Sequence, residues 1–299
     1  MVVVNALGPV FLLVLLGIGL HYLQLPGGDF WPRAERLTYF VFFPCLLVHS
    51  LALAPFTAGE LFEVLLVVLV LFGVAAFALI LSARWLAPSE AAFTSVFQGA
   101  LRFNTYVGFA AAAGIWGEDG VATAALVVAC MVPLVNVLSI VVFALKLGRS
   151  ASVVSQVALN PLVIACALGV ALNLSAIGLP GWSEPLLAIL GRPALPLGLL
   201  AIGVGLSFTG LRRSIPALAA VTGIKLLLLP LLAFAVCRAL ALASPYAEVV
   251  VLFAALPTAS SAYILSRQLG GDSPLMAAII TTQTVAAMVL MPLMLEALL

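Results

Sequence analysis

The residues of this chain that could do chemistry are a few polar side chains set inside long apolar runs. Gln98, Arg102, Asn104 and Thr105, followed by Gly108, interrupt one run, and Pro257, Thr258, Ser260, Ser261 and Tyr263 interrupt another. Pro257 has no N–H to donate and its ring collides with the preceding turn, so a helix should break or kink just before it and release a carbonyl. Around such a break the hydroxyls and amides of Thr258, Ser260, Ser261, Asn104 and Thr105 can bind loose backbone or a small ligand. The plainer alternative is a proline kink whose hydroxyls serve only their own helix.

Other candidates surround these two segments. Arg102 and Lys225 are cations within apolar runs, Asn136 is an uncharged amide at depth, and Gln98, Gln283 and Thr284, with Thr281 and Thr282, could hold an ion through oxygen atoms alone. Lys225 can act as charge compensation or attract an anionic substrate, whereas a structural role suits Arg102 better. Asn136 and the threonines serve equally well as glue between helices. All eleven acidic residues fall in loops or near the ends of apolar runs, which disfavours a cation antiporter cycling protons on buried aspartates. An anion or an uncharged solute fits better.

The elements that must position these residues follow from composition. The chain has 299 residues, 65% hydrophobic and 8% charged, with a mean hydropathy of +1.31. A soluble domain carries about 25% charged residues. Apolar runs occupy 3-23, 35-54, 61-83, 91-115, 120-145, 157-178, 185-208, 214-237, 246-267 and 274-296. Each is close to the roughly 20 residues that a helix needs to span a bilayer. They lack the alternation of barrel strands, and the first has neither the basic start nor the small-residue cleavage pattern of a signal peptide. The expectation is an all-α polytopic membrane protein with ten transmembrane helices. Arg102 lies about 16 Å beyond Ala91 and Lys225 about 18 Å beyond Arg213, both near the midplane.

Arg33, Arg36, Arg84, Lys146, Arg149, Arg212, Arg213 and Arg267 fall after odd-numbered helices, against Arg192 and Arg238 on the other side, so both termini should lie outside. Cys45, Cys130, Cys166 and Cys237 sit in apolar runs without metal-ligand spacing, and His21 and His49 have no acidic or metal-ligating neighbour. Neither a metal, a cofactor nor nucleic acid is expected. An intramembrane enzyme finds no support, since HExxH, paired buried aspartates and a spaced serine–histidine set are all absent.

The halves repeat. Pro9, Gly17 and Pro44 meet Pro161, Gly169 and Pro196 at an offset of 152; Asn104, Gly117 and Asp119 meet Pro257, Gly270 and Asp272 at 153; Pro26-Gly27 meets Pro180-Gly181 at 154. Residues 1-148 and 149-299 thus read as two five-helix repeats. An odd number of helices per half inverts the second, as in many secondary transporters, and sets the two polar interruptions at equivalent places.

Gly17, Phe43-Pro44-Cys45-Leu46, Asn160-Pro161-Leu162, Leu195-Pro196-Leu197, Asn104 through Gly117, Lys225 with Pro230, and Leu256 through Ser261 with Gly270-Gly271-Asp272 resemble landmarks of the auxin efflux carrier family. The resemblance implies ten helices with crossing, interrupted helices 4 and 9, and transport of small organic anions such as auxin-like or malate-like carboxylates. It also implies a scaffold of helices 1, 2, 6 and 7, often dimeric, and an elevator-like transport domain of helices 3-5 and 8-10. The short connection from Lys146 to Gln156 looks like a bacterial member of the cytoplasmic membrane, and helix 4 departs from the pattern by lacking a proline at its crossing. The expected function is secondary active transport of an organic anion, with coupling to a proton or sodium left open. The alternatives are a sodium-coupled symporter of the bile-acid type and a membrane receptor that transports nothing.

Overall fold

The computed structural model describes residues 2–148, 158–175, 177–208 and 215–299, and among them it contains helices and no strand. Arg149, Arg212, Arg213 and the connection through Gln156 lie outside the described residues. Seven helical stretches are long and apolar enough to cross a membrane. This is an all-helical, polytopic integral membrane protein.

The main elements are α1 (Val2–Tyr22), α2 (Phe30–Leu53), α3 (Ala58–Leu81), α4 (Glu90–Leu101), α5 (Thr105–Leu147), α6 (Pro161–Leu174), α7 (Ser183–Gly205), α8 (Ile215–Ala239), α9 (Tyr246–Ala254), α10 (Ser261–Leu269) and α11 (Ser273–Leu298). Two of them widen into π-helical turns, α2 over Thr38–Phe42 and α8 over Ile224–Leu228. Each widening precedes a proline, Pro44 or Pro230, whose ring leaves no room for the carbonyl one turn back and which donates no N–H; the wider turn absorbs both defects without ending the helix. Helix α2 starts earlier than the charge pattern implies, so Arg33 and Arg36 stand on it and not in a loop. Pro32 is in its first turn, where a missing N–H costs nothing. Helix α5 turns sharply at Gly117, whose φ of 65° is a conformation that other residues adopt only at a cost.

The described residues divide into two compact units. One is drawn from Met1–Leu65, Tyr106–Val132 and Ala158–Gly205, the other from Leu66–Thr105, Pro133–Val157 and Leu206–Leu299. In the first unit α1 lies against α7 with Gly17 and Gly203 at the contact. A Cβ on Gly17 would strike the Leu200 carbonyl, and one on Gly203 would strike the Val14 carbonyl. Lipid tails are as apolar as leucine, so such close backbone packing, not hydrophobic exclusion, is what holds helices together here. The Asn173 amide on α6 donates to the Leu51 carbonyl at 3.0 Å and the Ala54 carbonyl at 2.7 Å, closing the C-terminal end of α2.

In the second unit, α11 packs on α4, α8 and α10. Gly270, with a φ of 79°, ends α10 in a left-handed cap, and the Asp272 carboxylate then accepts from the Leu275 N–H at 2.9 Å to start α11. These neighbours carry the polar residues singled out above.

Replacing Gly203 by valine forces α1 away from α7. The expected cost is about 1–3 kcal/mol, seen as a lower midpoint of thermal unfolding in detergent, whereas Gly73→Val, at a position with open space around it, leaves the midpoint in place.

Candidate functional site at two helix breaks

Both polar interruptions are real gaps in helical structure. Arg102, Phe103 and Asn104 are non-helical between α4 and α5, with Arg102 extended at φ −70° and ψ 151°. Residues 255–260 separate α9 from α10. The second gap is local in origin, because the residue before Pro257 is pushed out of the helical region and Pro257 donates nothing. The first contains no proline, so its cause lies in what surrounds it.

Side chains from elsewhere in the same unit pin that first gap open. The Phe103 ring meets Phe253 edge-on at 5.5 Å between centroids and Phe72 at 6.5 Å. The Arg102 guanidinium donates to the Ser261 hydroxyl at 3.1 Å. At the centre, the Asn104 N–H donates to the Pro257 carbonyl at 2.8 Å. A donor that lost its helical partner in one gap thus satisfies an acceptor that lost its own in the other. In a medium without water, that exchange removes two costly orphans at once.

The Gly99 carbonyl shows the same logic. Its ordinary partner would be the N–H of Phe103, which has left the helix. In its place the Thr258 hydroxyl approaches at 2.7 Å and the Gln283 Nε2 donates at 2.9 Å. The Thr258 N–H donates to Gln283 Oε1 at 3.0 Å, and the Thr258 hydroxyl also lies 2.6 Å from that oxygen. One hydroxyl proton faces two acceptors, so Thr258 can bond only one of them at a time. Thr258 and Gln283 are both wholly buried, which makes each of these bonds expensive to break.

A second polar layer lies between α4 and the α10 to α11 corner. Gln98 Nε2 donates to the Ser266 hydroxyl at 3.0 Å, and the Ser95 hydroxyl donates to the Asp272 carbonyl at 2.9 Å. The Asp272 N–H in turn donates to the Ala91 carbonyl at 3.1 Å. Gln98 Oε1 is buried without a partner. Lys225, on the π-helical turn of α8, is fully buried with its Nζ 5.9 Å from the centre of the Phe103 ring, so it stands beside the α4 to α5 gap.

Asn104, Pro257, Thr258, Gln283 and Gln98 are therefore gathered around the two breaks, with Arg102, Ser261 and Lys225 at their edge. Other candidates are not drawn in. Thr284 donates to the Ile280 carbonyl of its own helix at 2.7 Å, the plain alternative for a helical threonine. Thr281 exchanges two 3.0 Å bonds with the Ser207 backbone. Asn136 is buried on α5, and among the described residues no hydrogen bond joins it to the breaks. Thr105 and Ser260 are part-exposed at the edges of the two gaps. Gly99, Phe103, Ser95 and Ser266 were missed in the sequence; a carbonyl and a phenyl ring carry no composition signal, and the two serines look like ordinary helical serines.

This geometry by itself defines a class. Paired unwound segments within a membrane are where membrane proteins expose backbone to a solute or ion. A family of membrane transport proteins matches residues 147–295, which bears out the resemblance to the auxin efflux carrier family drawn from the sequence motifs. An uncharacterized transporter of Methanothermobacter thermautotrophicus is 27% identical over 287 residues, covering 95% of this chain and 94% of that protein. Both similarities point to transport across a membrane.

Thr258→Val keeps the shape and the N–H but deletes the hydroxyl. The expected loss is about 1–3 kcal/mol in stability, read as thermal unfolding in detergent. Thr258→Ser, which restores the hydroxyl, is expected to recover most of it.

Proposed function

We propose that this protein is a secondary active carrier of small organic anions, with carboxylates of the auxin-like or malate-like kind as the substrate class. The observation that carries the reading is the main-chain bond from Asn104 to Pro257, which ties together two unwound segments at repeat-equivalent positions. An inverted pair of five-helix repeats explains why two such breaks occur 153 residues apart, one made by a proline and the other without one. The chain has ten transmembrane helices on this reading, with interrupted helices 4 and 9 crossing at the site. The acidic residues support an anionic substrate, since among the described residues no Asp or Glu is buried as a whole side chain while Lys225 is. The side chains of Asn104, Thr258, Ser260 and Asn136 contact the substrate.

Alternating access follows an elevator-type movement of helices 3-5 and 8-10 against a scaffold of helices 1, 2, 6 and 7, through which two copies pair. The protein sits in the cytoplasmic membrane of a bacterium with both termini outside. A second reading, a sodium-coupled symporter of the bile-acid type, draws on three oxygens, since the Thr258 hydroxyl lies 2.7 Å from the Gly99 carbonyl and 2.6 Å from Gln283 Oε1.

Purified protein in proteoliposomes is expected to give saturable flux of at least one radiolabelled carboxylate from a panel including malate and indole-3-acetate. Asn104→Ala, which keeps the main-chain bond and removes only the amide, should lower that flux about tenfold, the equivalent of roughly 1.4 kcal/mol of lost binding. Unchanged kinetics in Asn104→Ala would remove its side chain from the site. Flux that requires sodium would favour the bile-acid type.

A further inference from the structure

The network at the breaks uses nearly every polar group near it, and the exceptions are informative. Gln98 Oε1, Thr222 Oγ1 and Lys225 Nζ are buried in the second unit without a hydrogen-bond partner. Lys225 is the unusual one. Its amine is fully buried without a hydrogen-bond partner and lies over the face of Phe103, 5.9 Å from the ring centre. At that distance a ring face offers an ammonium about 0.5–2 kcal/mol, against about 2.5–3.5 kcal/mol for a charge at the bilayer centre.

Among the described residues no acid makes up the difference. The elements packed against the Lys225 turn are the rest of α8, α4 and α11. Their charged groups are Arg238, Glu90 and Glu296, all exposed near helix ends, and their other titratable group is Cys237, which is directed at the Ala247 carbonyl. Arg102, beside Phe103, is engaged with Ser261. Glu248 has a buried carboxylate oxygen but lies near Cys237, twelve residues and about 18 Å along α8 from Lys225.

We propose that Lys225 binds a proton together with the transported anion, so that anion and proton cross as a pair. The inference rests on the carrier reading and adds its coupling ion. The step is a protonation: the amine gains one proton, no covalent bond to the substrate forms, and nothing is oxidised or reduced. The carboxylate provides the counter-charge that the protein lacks at this point, and the protonated amine provides the anion's. Each therefore favours the other's binding by the same free energy. The orphaned Gln98 Oε1 stands on α4, which packs against the same turn of α8. A substrate that bears a hydroxyl or N–H besides its carboxylate has a donor to offer it.

The test uses proteoliposomes with the membrane potential clamped at zero and protein-free vesicles as the blank, with labelled malate and indole-3-acetate as probes. For wild type, an inward acid gradient is expected to drive accumulation approaching tenfold per pH unit, with one proton entering per anion by an internal pH dye. Lys225→Arg carries a fixed charge, so its label should still equilibrate but accumulate about onefold, with no proton counted. Lys225→Met, checked for monodispersity, should show saturable flux only at tenfold or more higher substrate. Proton stoichiometry is a quantity that a merely structural lysine would leave untouched. Equal acid-driven accumulation in wild type and Lys225→Arg overturns the proposal, as does wild-type flux without protons. If neither probe moves in wild type, the carrier reading for these anions falls, and this inference falls with it.

Discussion

The hydrogen bond from Asn104 to Pro257 is the interaction on which the rest of the site depends, because it solves a problem that breaking a helix creates. In water an unwound turn costs little, since solvent pairs the freed groups. In hydrocarbon each freed N–H or carbonyl costs several kcal/mol, so a break survives only where another part of the protein takes up what it releases. Two breaks placed side by side can satisfy each other, and here they do so at 2.8 Å. Thr258 and Gln283 extend the solution to Gly99, one turn back in α4. The pairing also fixes a relation between α4 and α9 that no contact between apolar side chains could specify as narrowly.

The two breaks differ in how far their own sequence explains them, and this decides what could be read from the chain. Pro257 dictates its gap locally, and the run from Leu256 to Ser261 announces both the break and the hydroxyls around it. The gap at 102–104 has no such signal. Its residues are held by the Phe103 ring against Phe253 and Phe72 and by the hold of Arg102 on Ser261, contacts made across 150 or more residues in the cases of Phe253 and Ser261. Arg102 read as a structural cation is consistent with that hold. The polar residues near the gap were visible as a cluster; that the backbone between them unwinds was not.

Much of the helical layout was legible because membrane thickness imposes a length on every apolar run. Helices α1, α3 and α11 begin and end within a few residues of the runs that foretold them. The start of α2 was not, since Arg33 and Arg36 look like loop residues although Pro32 is well suited to a first helical turn. The π-helical turns at Thr38–Phe42 and Ile224–Leu228 were also hidden. A proline inside a helix announces a defect, but only the packed neighbours decide between a kink, a gap and a widened turn. Gln283 was legible as a polar residue at depth, while its partner Gly99 was not, since a carbonyl is present at every position and only a break makes one available.

The widened turn of α8 bears directly on the chemistry. An α-helix points successive side chains 100° apart, and an inserted residue resets that phase for everything that follows. Lys225 stands in the widened stretch, five residues before Pro230. The proline therefore does more than tolerate its own missing N–H: the defect it forces occupies the turn whose side chain ends beside the unwound 102–104 segment. The buried lysine and the broken helix that it stands beside are thus consequences of the same kind of cause, a main chain that cannot complete its regular bonding. Polar backbone exposed by one irregularity and an amine placed by another meet at one position in an otherwise apolar structure. On the proposed carrier reading, an incoming anion meets both at one place.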